Sequence, residues 1–142
     1  KAGNGYRVET FRANTEPSAQ YAYNGPRASK GSSVDMNGDG KNDLGRIASG
    51  SYRYTLQSGT FAGDRYFRTT SGKTVERDTN QDGWFNAQDK NRLQANSGSS
   101  FLIHTGGSTN TYSAGCQTMS PSDYQRFLNA VAGQGTFSYV LV

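Results

Sequence analysis

The chain holds one histidine and one cysteine, His104 and Cys116, twelve positions apart in FLIHTGGSTNTYSAGCQTMS, residues 101–120. A thiol attacks a carbonyl as its thiolate, and a neighbouring imidazole is the usual means of producing one near neutral pH. Cys116 stands in SAGCQTM, a small-residue turn between an expected strand and an expected helix, where backbone N–H groups can face a reacting carbonyl. His104 ends the short apolar run SSFLIHT, which reads as a strand. The pair points to nucleophilic acyl chemistry, set against the plainer alternative of an inert buried thiol and an ordinary histidine.

Two further segments carry oxygen ligands. DTNQDGWFNAQD places Asp78, Asn80, Asp82, Asn86 and Asp89 at the spacing of a calcium loop of the EF-hand or dockerin kind, with Gly83 at the sixth position. A hard cation needs six or more oxygens converging on one point, and side chains spaced by two around a tight turn deliver them. The Trp84 carbonyl takes the seventh position. Asp89, in the twelfth, is one methylene shorter than the usual bidentate glutamate, which predicts weak binding. DMNGDGKND offers Asp35, Asn37, Asp39 and Asp43, with Gly38 and Gly40 for sharp turning, and resembles the shorter calcium loops of extracellular repeat proteins. Bound calcium is expected to be structural. Without a metal, both segments would be Asx-rich solvated turns.

At 142 residues the chain fits one domain, 1–142. Hydrophobic residues are only 32% of it, yet nine tyrosines and seven phenylalanines can cover apolar area while keeping polar edges wet. Eighteen glycines argue for many tight turns. No run approaches the ~18 apolar residues of a bilayer span. The net charge of +4 is scattered rather than clustered, so neither a nucleic-acid partner nor membrane insertion is expected, and an anionic cell envelope suits the charge. A single cysteine excludes an internal disulfide. No signal peptide is visible, and a start at Lys1 is expected of a processed or trimmed chain.

The elements that must hold these residues are mostly strands. GYRVETFRA and GSYRYTLQSG alternate apolar and polar side chains, and TFSYVLV reads as a terminal strand, all within one mostly antiparallel system. The clearest helix is SPSDYQRFLNAVAG. Ser120 is its N-cap, Pro121 its first residue and Asp123 the capping-box acid; Tyr124, Phe127, Leu128 and Val131 make its buried face, and Gly133 closes it. AQDKNRLQ is expected to form a helix leaving the 78–89 loop.

IHTGG followed by YSAGCQTM resembles the signature of the L,D-transpeptidase (YkuD-like) catalytic domain: a histidine at a strand end, a loop, then Ser/Thr-x-Gly-Cys. LGRIASGSYRYTL is similar to the strand carrying that family's T-P-x-G-x-Y pattern. The resemblance implies a mainly β, sandwich-like fold with one or two helices and cysteine-dependent chemistry on peptidoglycan stem peptides. It makes Cys116 the nucleophile, His104 the general base and Ser113 the small hydroxyl residue before Gly-Cys, with the N–H groups of Gly115 and Cys116 as oxyanion donors. It also implies a monomer in the periplasm or outside the cell. Thr118 stands where the family has an arginine, and the His-to-Cys interval is short. The calcium loops at 35–43 and 78–89 are additions to the minimal domain, the second placed where it could form part of the active-site wall. The competing expectation is a non-catalytic, calcium-stabilised, dockerin-like binding module.

Overall fold

The computed structural model describes residue 3 and residues 5–142. Among these, nine strands and one α-helix form: β1 (Ala13–Asn14), β2 (Gly45–Ile47), β3 (Gly50–Leu56), β4 (Phe67–Thr69), β5 (Val75–Arg77), β6 (Leu93–Gln94), β7 (Ile103–Thr105), β8 (Gln117–Met119), α1 (Pro121–Ala130) and β9 (Thr136–Leu141). Six strands make one sheet in the order β1-β8-β7-β4-β3-β9, and three make another, β2-β5-β6. The pairings are antiparallel except that of β7 with β8, which is parallel. The fold is mainly β with a single α-helix.

Alternation decides what the main sheet buries. Along β3, Tyr52 and Tyr54 are buried and Ser51 and Arg53 exposed, as a strand covered on one face requires. β9 pairs with β3 over six residues and adds Phe137, Tyr139 and Leu141 to the same core. The tyrosines keep their hydroxyls satisfied inside it: Tyr54 donates to the Phe101 carbonyl (3.2 Å), Tyr124 to the Arg65 carbonyl (2.6 Å) and Tyr139 to Gln117 Oε1 (2.9 Å).

The helix forms as its sequence demands. Ser120 accepts from the Asp123 N–H at 3.3 Å, Pro121 is the first helical residue, and Tyr124, Phe127 and Leu128 are buried. Phe127 meets Phe67 and Phe137 edge-on, with ring centres 5.8 and 5.6 Å apart, so α1 seals one end of the sheet.

Three local expectations are corrected. In GYRVETFRA, residues 6–12 are not a strand: Tyr6 and Val8 are exposed, no sheet edge pairs with them, and the segment passes along α1, where Arg126 donates to the Thr10 carbonyl and Phe11 packs on Phe127. AQDKNRLQ is not a helix. Asn91 takes a left-handed φ of 54°, which ends any helical run, and Leu93 enters β6 against Glu76. LGRIASGSYRYTL is two strands in different sheets, β2 and β3, separated by Ala48 and a bend at Ser49, with Gly50 opening β3 at φ 156°.

Candidate active site

The parallel pairing of β7 and β8 sets Ile103 opposite Gln117 and His104 opposite Thr118, with Leu102 and Cys116 just before the two strands. Alternation puts Ile103 and Gln117 on the core side and His104 and Thr118 on the other. Cys116 Sγ accepts the Leu102 N–H at 3.3 Å, and the Gln117 N–H donates to the Leu102 carbonyl at 2.8 Å, extending the ladder to that point. Cys116 thus lies one residue before β8 and His104 within β7, on two adjacent strands. A parallel pair needs a return of about a dozen residues, and residues 106–116 supply it.

A hydroxyl holds the turn before the cysteine. Ser113 Oγ accepts the Gly115 N–H (3.0 Å) and donates to the Cys116 carbonyl (2.7 Å). Gly115 has a φ of 138°, and a Cβ there would lie 2.3 Å from both the Gly45 carbonyl oxygen and the Phe101 ring, so only glycine fits. Of the two N–H groups expected to face an oxyanion, that of Gly115 donates to Ser113 Oγ, whereas that of Cys116 has no partner among the described residues.

His104 is 2% exposed, and the Phe61 ring covers it with centres 4.7 Å apart. Its Nδ1 lies 2.7 Å from the Thr105 carbonyl oxygen. A carbonyl can only accept, so the ring proton sits on Nδ1 and Nε2 keeps the lone pair a general base needs. Sequence reasoning missed Thr105 because the group is backbone and leaves no mark in residue type.

Burial pushes the Cys116 thiol above its ordinary pKa, against the opposing pull of the Leu102 N–H and the charge of Arg68. Burial also holds His104 below its ordinary value, opposed by the Thr105 carbonyl. Both shifts favour a neutral thiol and a neutral imidazole at rest over a preformed ion pair. The second has a stability consequence. A histidine whose folded pKa is depressed contributes stability above its unfolded pKa of about 6.5 and loses it as pH falls through that value toward the folded one. The urea midpoint of the wild type should therefore fall relative to that of His104→Gln between pH 7 and pH 5. Parallel pH profiles would refute a buried neutral His104.

The charge of Arg68 acts on the thiol and Arg77 shares a cavity wall with it; neither was foreseen from the sequence. Extending the antiparallel register of Phe67 with Ile103 sets Arg68 opposite Leu102, where it donates to the Ser99 carbonyl at 2.9 Å. Arg77, at the end of β5, lines a cavity of about 340 Å³ together with Ser32, Ser97, Ser100, Phe101 and Cys116. Thr118 is buried, and its Oγ1 has no hydrogen-bond partner among the described residues.

The two oxygen-rich loops adopt one turn design. Asp35 accepts the Gly40 N–H and Asp78 the Gly83 N–H, each at 2.9 Å and each five residues on. Asn37 accepts from Asp39 as Asn80 does from Asp82, and Asp39 from Lys41 as Asp82 does from Trp84. Left-handed φ values fall at matching places, 75° and 80° at Gly38 and Gly40, 56° and 85° at Gln81 and Gly83. Each loop is closed by its last carboxylate accepting the N–H one residue after its first Asp, Asp43 from Met36 and Asp89 from Thr79; Asp89 accepts from Asn86 as well. The loops also touch: Asn37 Nδ2 donates to the Thr79 carbonyl (2.8 Å) and Gln81 Nε2 to Asp43 Oδ1 (2.7 Å).

As for a cation, the donors are all oxygens, and the buried carboxylates of Asp43, Asp78 and Asp89 have no ion-pair partner among the described residues. That chemistry fits a hard ion. Their present arrangement is that of backbone-capped turns, with Trp84 pointing to solvent, and no group of three or more His, Cys, Asp or Glu side chains among the described residues is gathered as for a metal. Burial, followed by the charges of Asp89 and Asp82 and against the Gly83 N–H, pushes the Asp78 carboxyl above its ordinary value. Comparison of the chain with protein-family models, with curated proteins and with solved structures finds no match.

Proposed function

We propose that the protein is a cysteine-dependent acyltransferase or peptidase of the L,D-transpeptidase kind, acting on peptidoglycan stem peptides in the periplasm or outside the cell. What supports this reading is that His104 in β7 and Cys116, one residue before β8, belong to two adjacent parallel strands, with Nδ1 of the imidazole anchored to the Thr105 carbonyl. His104 Nε2 takes the thiol proton and the Cys116 sulfur attacks the stem-peptide carbonyl after the third residue, the Cys116 N–H facing the developing oxyanion. The C–N bond then breaks. The departing amine takes the proton from His104, and the acyl group remains on sulfur as a thioester. An incoming amine resolves it to a new peptide bond, or water to a carboxylic acid that then ionises; His104 takes the proton of the attacking group and returns it to the departing Cys116 sulfur, which restores the thiol.

Calcium is assigned a structural place in the 35–43 and 78–89 loops. It would be held by Asp78, Asn80, Asp82, Asn86, Asp89 and the Trp84 carbonyl, and by Asp35, Asn37, Asp39 and Asp43. No helix among the described residues is long and apolar enough to cross a membrane.

Incubation with synthetic stem tetrapeptide followed by intact-protein mass spectrometry tests the reading. The expected product is a tripeptidyl adduct on Cys116, discharged by added amine or by water. If neither the tetrapeptide nor a carbapenem modifies Cys116, the enzymatic reading fails. The second reading, a calcium-stabilised binding module, draws on the shared turn design and mutual contact of the two loops; it predicts calcium-dependent ligand capture with an unreactive thiol.

A further inference from the structure

Arg77 is 4% exposed, and it carries a full charge into the wall of the cavity beside Cys116. Burying a guanidinium is costly unless an anion compensates it, yet no ion pair among the described residues includes Arg77. Every partner it has is neutral. Nε and Nη2 donate to Gln94 Oε1 (2.9 and 2.7 Å), and Nη1 donates to Ser32 Oγ (3.0 Å) and to the Asp43 backbone carbonyl (3.3 Å). The nearest anion is the Asp43 carboxylate, whose charge favours the cation while its oxygens accept from Met36 and Gln81 instead. Of the five N–H groups a guanidinium owns, one on Nη2 is left without a partner among the described residues.

The surroundings are shaped for this cation. Gly45 makes room for it, since a Cβ there would lie 2.5 Å from Arg77 Nη1, and the guanidinium sits over the Phe101 ring at 5.8 Å from its centre. Phe101 lines the same cavity, as do the hydroxyl-bearing Ser32, Ser97 and Ser100. The result is a cavity of about 340 Å³ with a fixed cation, several hydroxyls and the thiol in its wall. Its chemistry is that of a carboxylate receptor.

We propose that this cavity is a substrate subsite in which Arg77 binds a carboxylate of the peptide being cleaved at Cys116. The assignment rests on the acyl-transfer reading above and deepens it. Two carboxylates of a stem tetrapeptide could supply the anion, the free C-terminus of the departing fourth residue and the side-chain carboxylate of a diamino acid at the third. Both are the same chemistry, and the fourth-residue amide and the third-residue carboxamide separate them.

The test measures equilibrium binding of three labelled tetrapeptides, the diacid and each monoamide, to the Cys116→Ser protein, which cannot turn them over. Amidating one of the two carboxylates should weaken binding at least tenfold, and the arm that does so names the source. Arg77→Met, in the same background, should abolish that difference. Because a buried arginine can be needed for folding, Ser100→Asp provides a second variant on an exposed position of the cavity wall; its carboxylate should occupy the cation and remove the acid preference. Equal binding of all three peptides to the unaltered cavity would overturn the proposal, as would an undiminished acid preference in Ser100→Asp or in a folded Arg77→Met. Failure of the enzymatic reading looks different: wild-type protein would then form no thioester with any of the three.

Discussion

Replacing Cys116 by serine is expected to leave the fold standing and to abolish acyl-enzyme formation. The hydroxyl can accept the Leu102 N–H in place of Sγ, and the Ser113 bond to the residue-116 carbonyl involves backbone only, so the turn keeps its anchors. What disappears is the nucleophile. A serine hydroxyl is far less acidic than a thiol, and a single imidazole held only by a backbone carbonyl gives it little help, so the loss should be roughly 10³-fold or more in turnover. His104→Ala should slow the same step near neutral pH and recover in part at alkaline pH, where the thiol ionises unaided. Because burial pushes the Cys116 pKa up, that recovery should lie on the alkaline side of an ordinary cysteine's titration. Thioester formation by Cys116→Ser at the wild-type rate, or full neutral activity of His104→Ala, would end the catalytic assignment.

Removing calcium should produce the largest stability change. An ion that binds only the folded state stabilises it by mass action, by about 2.7 kcal/mol at a free concentration a hundredfold above its dissociation constant. For a domain of this size, at roughly 2–4 °C per kcal/mol, a chelator should lower the melting temperature by about 5–10 °C. With the short Asp89 at the twelfth position, a dissociation constant of about 10⁻⁴ to 10⁻³ M is expected, so the full shift needs about 10–100 mM free calcium, and about 1 mM should give only about 1–6 °C. Asp82→Asn separates charge from turn: it keeps an oxygen to accept the Trp84 N–H and loses the charge a cation needs. Its melt should resemble the chelated wild type and should barely respond to chelator. An unmoved wild-type melt would leave these loops as turns alone. Because the Asp43 carbonyl accepts from Arg77 and Asp78 is the next residue, loosening either loop should also disturb the cavity beside Cys116.

Where local chemistry suffices, the sequence was readable. Ser120, Pro121 and Asp123 mark the start of α1 because capping depends on residues within one turn, and the alternation of Tyr52 and Tyr54 marks β3 because a pleated strand buries every second side chain. Gly83 at the sixth position of its loop was legible for the same reason: a left-handed φ there asks for glycine. Residues 6–12 and the segment after Asp89 misled, since their patterns state a preference that only a partner strand or a continuing run of helical φ can realise, and Asn91 withholds the latter.

The site divides along the same line. The types of its two reactive groups, and the small residues before Cys116, are properties of the chain and were visible in it. The adjacency of the strands that carry them depends on β7 and β8 running parallel in a particular register, with Ile103 and Gln117 bonded to tyrosines distant in sequence. Other features of the site have no local signature: the Thr105 carbonyl that orients His104, the hydroxyl of Ser113 that claims the Gly115 N–H, and the approach of Arg68 and Arg77 to the thiol from β4 and β5. Sequence alone thus determined which atoms could react and where the chain must turn, because those depend on the residue and its nearest neighbours. Tertiary structure decided which atoms meet, because strand register and burial are set by contacts between segments far apart in the chain.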